Sequence, residues 1–438
     1  MHPAVVTPEQ QREVCAPTAL HGCVKVAYIM SRFPKLTETF VLYEMRAVEE
    51  LGAQVEVYPL LRERTTVMHP EAAAFMERAH FQPFLSGAIL RAHLHFLQQK
   101  PGAYLSTLWA LLRANFGSLR YFAGALGLFP KAVYFAHRMA EEGITHVHAH
   151  FASHPAAAGF VIHRLSGIPF SFTAHGSDLH CDRHMLPEKV AEAAFVVAIS
   201  NFNKEIIVQE CGERLRGKVV VIHCGVDTQV FQPRAADGRQ DRATRPFTLL
   251  CVGTLHEVKG QTYLLEACRL LQDRGIEFVC NLVGDGPDGE VLAAQIAQAG
   301  LDQRVRLLGR RTRDQIAELL ARGHVAVTPS VPTKGGKQEG IPVALMEAMG
   351  SGVPVVASRL SGIPELVEHE RSGLLVPPYD AGALADALER LYLDPALCQR
   401  LGQAGREKVL REFDVYANAG ALAQFFDGTA RRKPAGLC

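Results

Sequence analysis

The ten cysteines of this 438-residue chain form no Cys-x-x-Cys pair and no Cys/His spacing suited to zinc. That excludes a zinc module, and reduced thiols in the cytosol are the expected state. No apolar run reaches the roughly 18 residues that a bilayer crossing requires. The start of the chain lacks the basic stretch and apolar core of an export signal, so a cytoplasmic location is expected. The formal net charge is only +1, which gives no ground for a nucleic-acid partner. Short-period repeats and low-complexity tracts are absent as well. One further absence is local: residues 78–140 contain no Asp or Glu.

The length exceeds what one core usually supports, so two domains are expected. Residues 1–22 read as a disordered leader. A first series of strands and helices follows over 23–233, a polar linker over 234–246, and a second series over 247–413. Val24–Met30 reads as a strand and Glu38–Leu51 as a helix capped by Thr37; Gln54–Pro59 is the next strand. This order builds a parallel, doubly wound α/β sheet, in which ligands lie at the carboxyl ends of the strands. Phe247–Gly253 restarts the same pattern after the linker.

The most informative stretch is Glu339–Ala357. Gly340 opens a turn, and Pro342 suits a first helical position, where its missing N–H costs nothing. Val343, Leu345, Met346 and Met349 continue a helix, and Gly350 and Gly352 end it before a buried strand. A helix start offers unpaired N–H groups and partial positive charge, so Gly340, Ile341, Pro342 and Val343 form an expected phosphate site. Glu347 lies one turn beyond Val343 on the same face, and Glu339 lies on the opposite side of that site. Two carboxylates flanking an anion fit a nucleotide sugar, which carries a diol-bearing sugar on either side of its diphosphate.

This Glu-x7-Glu stretch resembles the signature of retaining glycosyltransferases of family 4, which have the GT-B fold: two facing Rossmann-like domains with a cleft between them. The resemblance covers the chain after the leader. It is strong over 249–379, good over 148–231 and thin over 60–140. It implies that Glu339 holds hydroxyls of the transferred sugar and Glu347 the ribose diol. Thr173-Ala-His175, at a strand end that also carries Asp178, resembles the family motif whose histidine points at the donor sugar. His148-Ala-His-Phe151 resembles the strand leading to the cleft, which brings His150 near the substrates. Three histidines alternate along that strand, but no carboxylate or cysteine joins the run, so no metal is expected. Lys259-Gly260 resembles the family's phosphate clamp, with Lys259 beside a helix start. Arg310, after Gly309, is expected at the edge that holds the base.

Two departures stand out. Many family members carry Arg where this chain has Thr254, leaving Arg32, Lys334 and Lys337 as candidate replacement cations. Many also carry a glycine-rich loop after the first strand. The Ser31-Arg-Phe-Pro34 … Glu38-Thr-Phe40 string here resembles instead the exopolysaccharide branch, including colanic-acid-type transferases, with Glu38 and Thr39 facing the cleft. Within 78–140, Arg78, Arg91, Lys100, Arg113, Arg120, Lys131 and Arg138 are interleaved with aromatic and aliphatic residues. Two or three helices with basic edges are expected there. They either rest on an anionic membrane and guide a lipid-linked acceptor, or pack into the core with snorkelling stems. The segment after Phe413, over 414–438, is expected to cross back onto the first domain. The reading is thus a metal-independent, cofactor-free hexosyltransferase using a nucleotide-sugar donor, UDP-linked in preference, and a glycan or lipid-linked acceptor. A GT-B epimerase or phosphorylase, or a non-catalytic sugar-nucleotide scaffold, is the alternative.

Overall fold

The computed structural model describes residues 24–35, 38–64, 71–83, 86–180, 183–233 and 246–431. The expected leader, the Thr37 cap, linker residues 234–245 and residues 432–438 lie outside the described residues. The strands form two six-stranded sheets. The first contains β1 (Lys25–Phe33), β2 (Gln54–Arg62), β3 (His146–His150), β4 (Phe170–Ala174), β5 (Phe195–Ala198) and β6 (Val219–Val221). The second contains β7 (Phe247–Val252), β8 (Phe278–Val283), β9 (Val305–Gly309), β10 (Val325–Thr328), β11 (Val355–Ser358) and β12 (Leu374–Val376). All strand pairs are parallel. Helical crossovers cover both faces of such sheets, which is why whole strands such as Phe170-Ser-Phe-Thr-Ala174 are buried.

Strand order is β2-β1-β3-β4-β5-β6 in one sheet and β12-β11-β10-β7-β8-β9 in the other. Chain direction across the sheet reverses between β1 and β3 in the first, and between β10 and β7 in the second. Loops leaving the carboxyl ends of those strands diverge there and open a crevice. The Glu339–Ala357 stretch follows β10, so its first residues, Glu339–Val343, lie at the second of these crevices.

One local detail differs from the sequence expectation. Pro342 precedes the helix Val343–Gly350 as its extended cap residue, with φ −67° and ψ 126°. Residues 380–410 are two helices, Ala381–Leu393 and Pro395–Glu412, because Asp394 caps the second and Pro395 occupies its first position. Gly225 permits a close approach: a Cβ there would stand 2.3 Å from Val415 Cα. The chain crosses back at that point, as Val226 donates to Phe413 and accepts from Val415. The helix Val415–Arg431 then packs Phe426 against Tyr28, His146 and Phe195 of the first sheet.

Helices Gly87–Gln99, Pro101–Ala114 and Leu119–Glu141 occupy the 78–140 segment. Their inner faces bury Phe96, Leu111, Phe129 and Phe135. The basic residues divide. Buried Lys131 donates to the Leu60 carbonyl, Lys100 to that of Leu165, and Arg78 pairs with Glu49. Arg91, Arg113 and Arg120 remain exposed, as do Trp109 (67% exposed), Phe116 (81%) and Leu119 (86%).

Candidate active site

Lys259 ends a single 3₁₀ turn after β7 and is followed by Gly260. Gly260 has φ +66°, and a Cβ on it would fall 1.9 Å from the Pro329 carbonyl oxygen. Only glycine allows the loop after β7 to sit this tightly on the loop after β10. The Lys259 stem lies over Gly253, and Nζ stands 2.5 Å from Glu339 Oε2. Both side chains are largely buried, and the contact is an ion pair without aligned hydrogen-bond geometry. Cation and acid thus meet at the mouth of the second crevice.

Glu347 lies on the helix Val343–Gly350. Although half-buried, its carboxylate sits in poorly solvated surroundings that push its pKa up to about 7, against a lowering pull from Arg313. Arg313, the first residue of the helix Arg313–Arg322, pairs with Asp227 at 3.0 Å and lies 4.0 Å from the Tyr43 ring centroid. Asp227 also accepts from the Gln229 and Val230 amides and so closes a turn. Thr254 is exposed, and its carbonyl accepts from Gln261. Arg310 forms a solvated pair with Asp285 at the end of β9. Lys334 and Lys337 are exposed in a turn closed by Thr333, while Arg32 faces Glu63 at 3.8 Å.

On the first domain, His150 ends β3 and His175 follows β4. His150 Nδ1 and His175 Nε2 are 3.2 Å apart, and His150 Nε2 stands 3.1 Å from Glu44 Oε1. Phe40 and Phe151 press on the His175 ring at 4.9 and 4.6 Å between centroids. Phe40 lies in the first turn of the helix Thr39–Glu50, so Glu38 and Thr39 lie at the His175 end of that helix. Glu38 pairs with Lys35 at 2.6 Å. Asp178 turns inward: Oδ2 accepts from the Ala152 amide and so ties the loop after β4 to the loop after β3. Burial pushes its pKa up to about 7. Glu44, His148 and His150 bring potential ligand atoms within 4.8 Å of one another. His148 uses both ring nitrogens on Ser171 and Thr173, and His150 uses both of its own, so the cluster reads as a hydrogen-bonded network.

The two halves meet at this place. A Cβ on Gly176 would stand 3.1 Å from the Gly340 nitrogen, so the residues following His175 and Glu339 are in direct contact. His180 Nδ1 donates to the Gln338 carbonyl at 3.2 Å. Glu365 accepts from the backbone amides of Asn201 and Phe202, at the start of the helix Asn201–Cys211 in the other domain. Glu44, Arg313 and Glu365 were not singled out from sequence. The Thr312-x-x-Gln315 capping box marks the helix start beside Arg313, but nothing local announces its partners.

Residues 37–230 match the description "Glycosyltransferase Family 4", and 235–408 match "Glycosyl transferases group 1". The chain is 30% identical over 406 residues to the putative colanic acid biosynthesis glycosyltransferase WcaL of Escherichia coli, covering 89% of this chain and 96% of that one. It is 30% identical over 429 residues to the amylovoran biosynthesis glycosyltransferase AmsK of Erwinia amylovora, covering 93% and 100%. The crystal structure of Anabaena Alr3699/HepE in complex with UDP superposes with a TM-score of 0.68 at 18% identity, covering 92% of this chain and 98% of that one. Two facing doubly wound domains, with the paired glutamates on the second, are therefore the GT-B fold, and the chain belongs to the family 4 glycosyltransferases.

Proposed function

We propose that the protein transfers a hexose, with retention of anomeric configuration, from a nucleoside diphosphate sugar to a hydroxyl of a glycan or lipid-linked acceptor. The observation that carries this reading is the Lys259–Glu339 pair beside the Gly340–Val343 helix entry, in direct contact with the loop that bears His175. In this reading Lys259 and the helix N-terminus neutralise the departing diphosphate without a bound metal. Glu339 orients hydroxyls of the sugar, and Glu347 takes the ribose diol. The anomeric C–O bond to phosphate breaks, the acceptor oxygen bonds on the same face, and the departing phosphate oxygen takes the acceptor proton. UDP is favoured as carrier because a structural relative was crystallised with it. The relatives named for colanic acid and amylovoran synthesis support a place in exopolysaccharide assembly, and the proposed location is the cytoplasm, at the inner membrane face.

A thermal-shift panel of UDP-, GDP- and ADP-sugars, followed by turnover with the best binder, tests the reading. Lys259→Ala and Glu339→Ala should each lower kcat by on the order of 10²–10³-fold in a folded protein, and near-wild-type rates would contradict their roles. Turnover should survive excess EDTA, and NMR of the product should show the donor's anomeric configuration. Donor consumption without acceptor, giving an epimer or phosphate-dependent sugar release, would favour the epimerase or phosphorylase alternative. The exposed Trp109, Phe116 and Leu119, together with the exposed Arg91, Arg113 and Arg120, support a peripheral membrane face. Flotation on anionic vesicles at low salt should recover the protein, and Trp109→Glu should reduce recovery several-fold; equal recovery of both proteins would remove this face from the reading.

A further inference from the structure

Tyr28, Glu44, His150 and His175 form one hydrogen-bonded line from the buried middle of β1 to the interdomain cleft. Tyr28 Oη and His150 Nε2 both lie 3.1 Å from the same oxygen, Glu44 Oε1. Burial and the Glu44 charge hold the Tyr28 phenol well above its usual pKa, so it stays protonated and donates. An ionised carboxylate only accepts, so His150 Nε2 also brings a proton to it. An imidazole that carries its single proton on Nε2 keeps a lone pair on Nδ1. His175 Nε2, 3.2 Å away, must donate to it. Burial and the neighbouring His150 keep His175 neutral, so its one proton is already placed on Nε2.

We propose that Glu44, acting through His150, is a positioning residue that fixes His175 in the Nε2–H tautomer and presents its Nδ1 lone pair as a hydrogen-bond acceptor. The surroundings hold the ring in place as well as fixing its proton. Phe151 adopts φ +78°, a left-handed conformation uncommon for a bulky residue, and its ring lies against His175. Phe40 presses on the ring too. The neighbouring His148, 5.1 Å from His150 between ring centroids, spends its nitrogens on Ser171 and Thr173 and does not join the line. A histidine directed by a carboxylate behind it has a defined donor and acceptor side, and loss of that second partner typically costs activity. Toward the sugar, His175 then receives a hydroxyl proton in a hydrogen bond and does not act as a cation.

The kinetic part of this inference rests on the glycosyl-transfer reading, while the tautomer part does not. In full-length protein carrying ¹⁵N-labelled histidine, the His175 signals are identified by their loss in His175→Ala. Wild type should show a protonated Nε2 and an unprotonated Nδ1, and a protonated Nδ1 would overturn the proposal without any further variant. Glu44→Gln should mix the two forms and lower kcat by roughly 10–100-fold while donor affinity stays nearly unchanged. Tyr28→Phe loosens the same carboxylate without breaking the path to His175, so it should keep the Nε2–H form and lose less turnover. Equal losses in both variants, or unchanged turnover in Glu44→Gln, would also overturn it. A correct wild-type tautomer in a protein that turns over no nucleotide sugar would sink the glycosyl-transfer reading and leave the relay standing.

Discussion

In the proposed reading, Glu347 sets the charge at the ribose end of the donor site. Burial raises its pKa to about 7, with Arg313 pulling the other way. The sign of the linkage follows. Because the folded-state pKa lies above that of the unfolded chain, the folded protein holds a proton that the unfolded chain releases. This contribution to stability is fully present below the unfolded carboxylate range and is lost as pH rises through about 7. Diol binding needs the acceptor-only carboxylate, so donor affinity should rise between pH 6 and 8, and calorimetry across that span measures it. Glu347→Gln should bind donor more weakly and flatten the profile; an unchanged slope in this variant would assign the titration to another group. The Glu339/Glu347 spacing was legible because both residues belong to one short stretch whose helix start and stop are written in glycine and proline. Glu44 was not, because in sequence it is an ordinary acid within a helix, and its partner His150 lies 106 positions away.

At the scale of elements, the helix Asn201–Cys211 shows how one structure is capped from two domains. Its own Ser200 accepts from the Asn203 amide, a cap of the ordinary local kind. The Asn201 and Phe202 amides are instead satisfied by Glu365, 164 and 163 positions away in the second domain. A carboxylate at a helix N-terminus is favourable through both hydrogen bonds and the helix dipole. Glu365→Ala should cost about 0.5–2 kcal/mol in denaturant unfolding, in the range of lost N-caps. It should also loosen the two domains, seen as faster hydrogen exchange at the first turn of that helix. Unchanged exchange would mean that the contact adds nothing to domain closure. Two or three helices were expected in the 78–140 segment from its interleaved basic and apolar residues, but the fate of their cations was not. Lys131 and Lys100 reach carbonyls on other elements, at Leu60 and Leu165, and no periodicity encodes such contacts.

For the whole molecule, alternating strand and helix patterns were enough to expect two parallel doubly wound sheets, since parallel pairing demands covered crossovers. How the sheets face each other was carried by close approaches that sequence does not display. Gly176 touches Gly340, Arg313 reaches Asp227 and Tyr43, and the final helix returns to the first sheet at Gly225. These contacts bring the His175 side and the Lys259–Glu339 side to one crevice, and the account rests on that crevice holding a sugar diphosphate. The direct measurement is a crystal structure of the protein soaked with UDP-glucose, alongside GDP- and ADP-sugars. The account predicts the diphosphate at the amides of the Gly340–Val343 entry, within hydrogen-bond reach of Lys259, with the sugar toward Glu339 and the ribose toward Glu347. Nucleotide bound elsewhere, or that entry filled by the protein's own side chains in every soak, would contradict it.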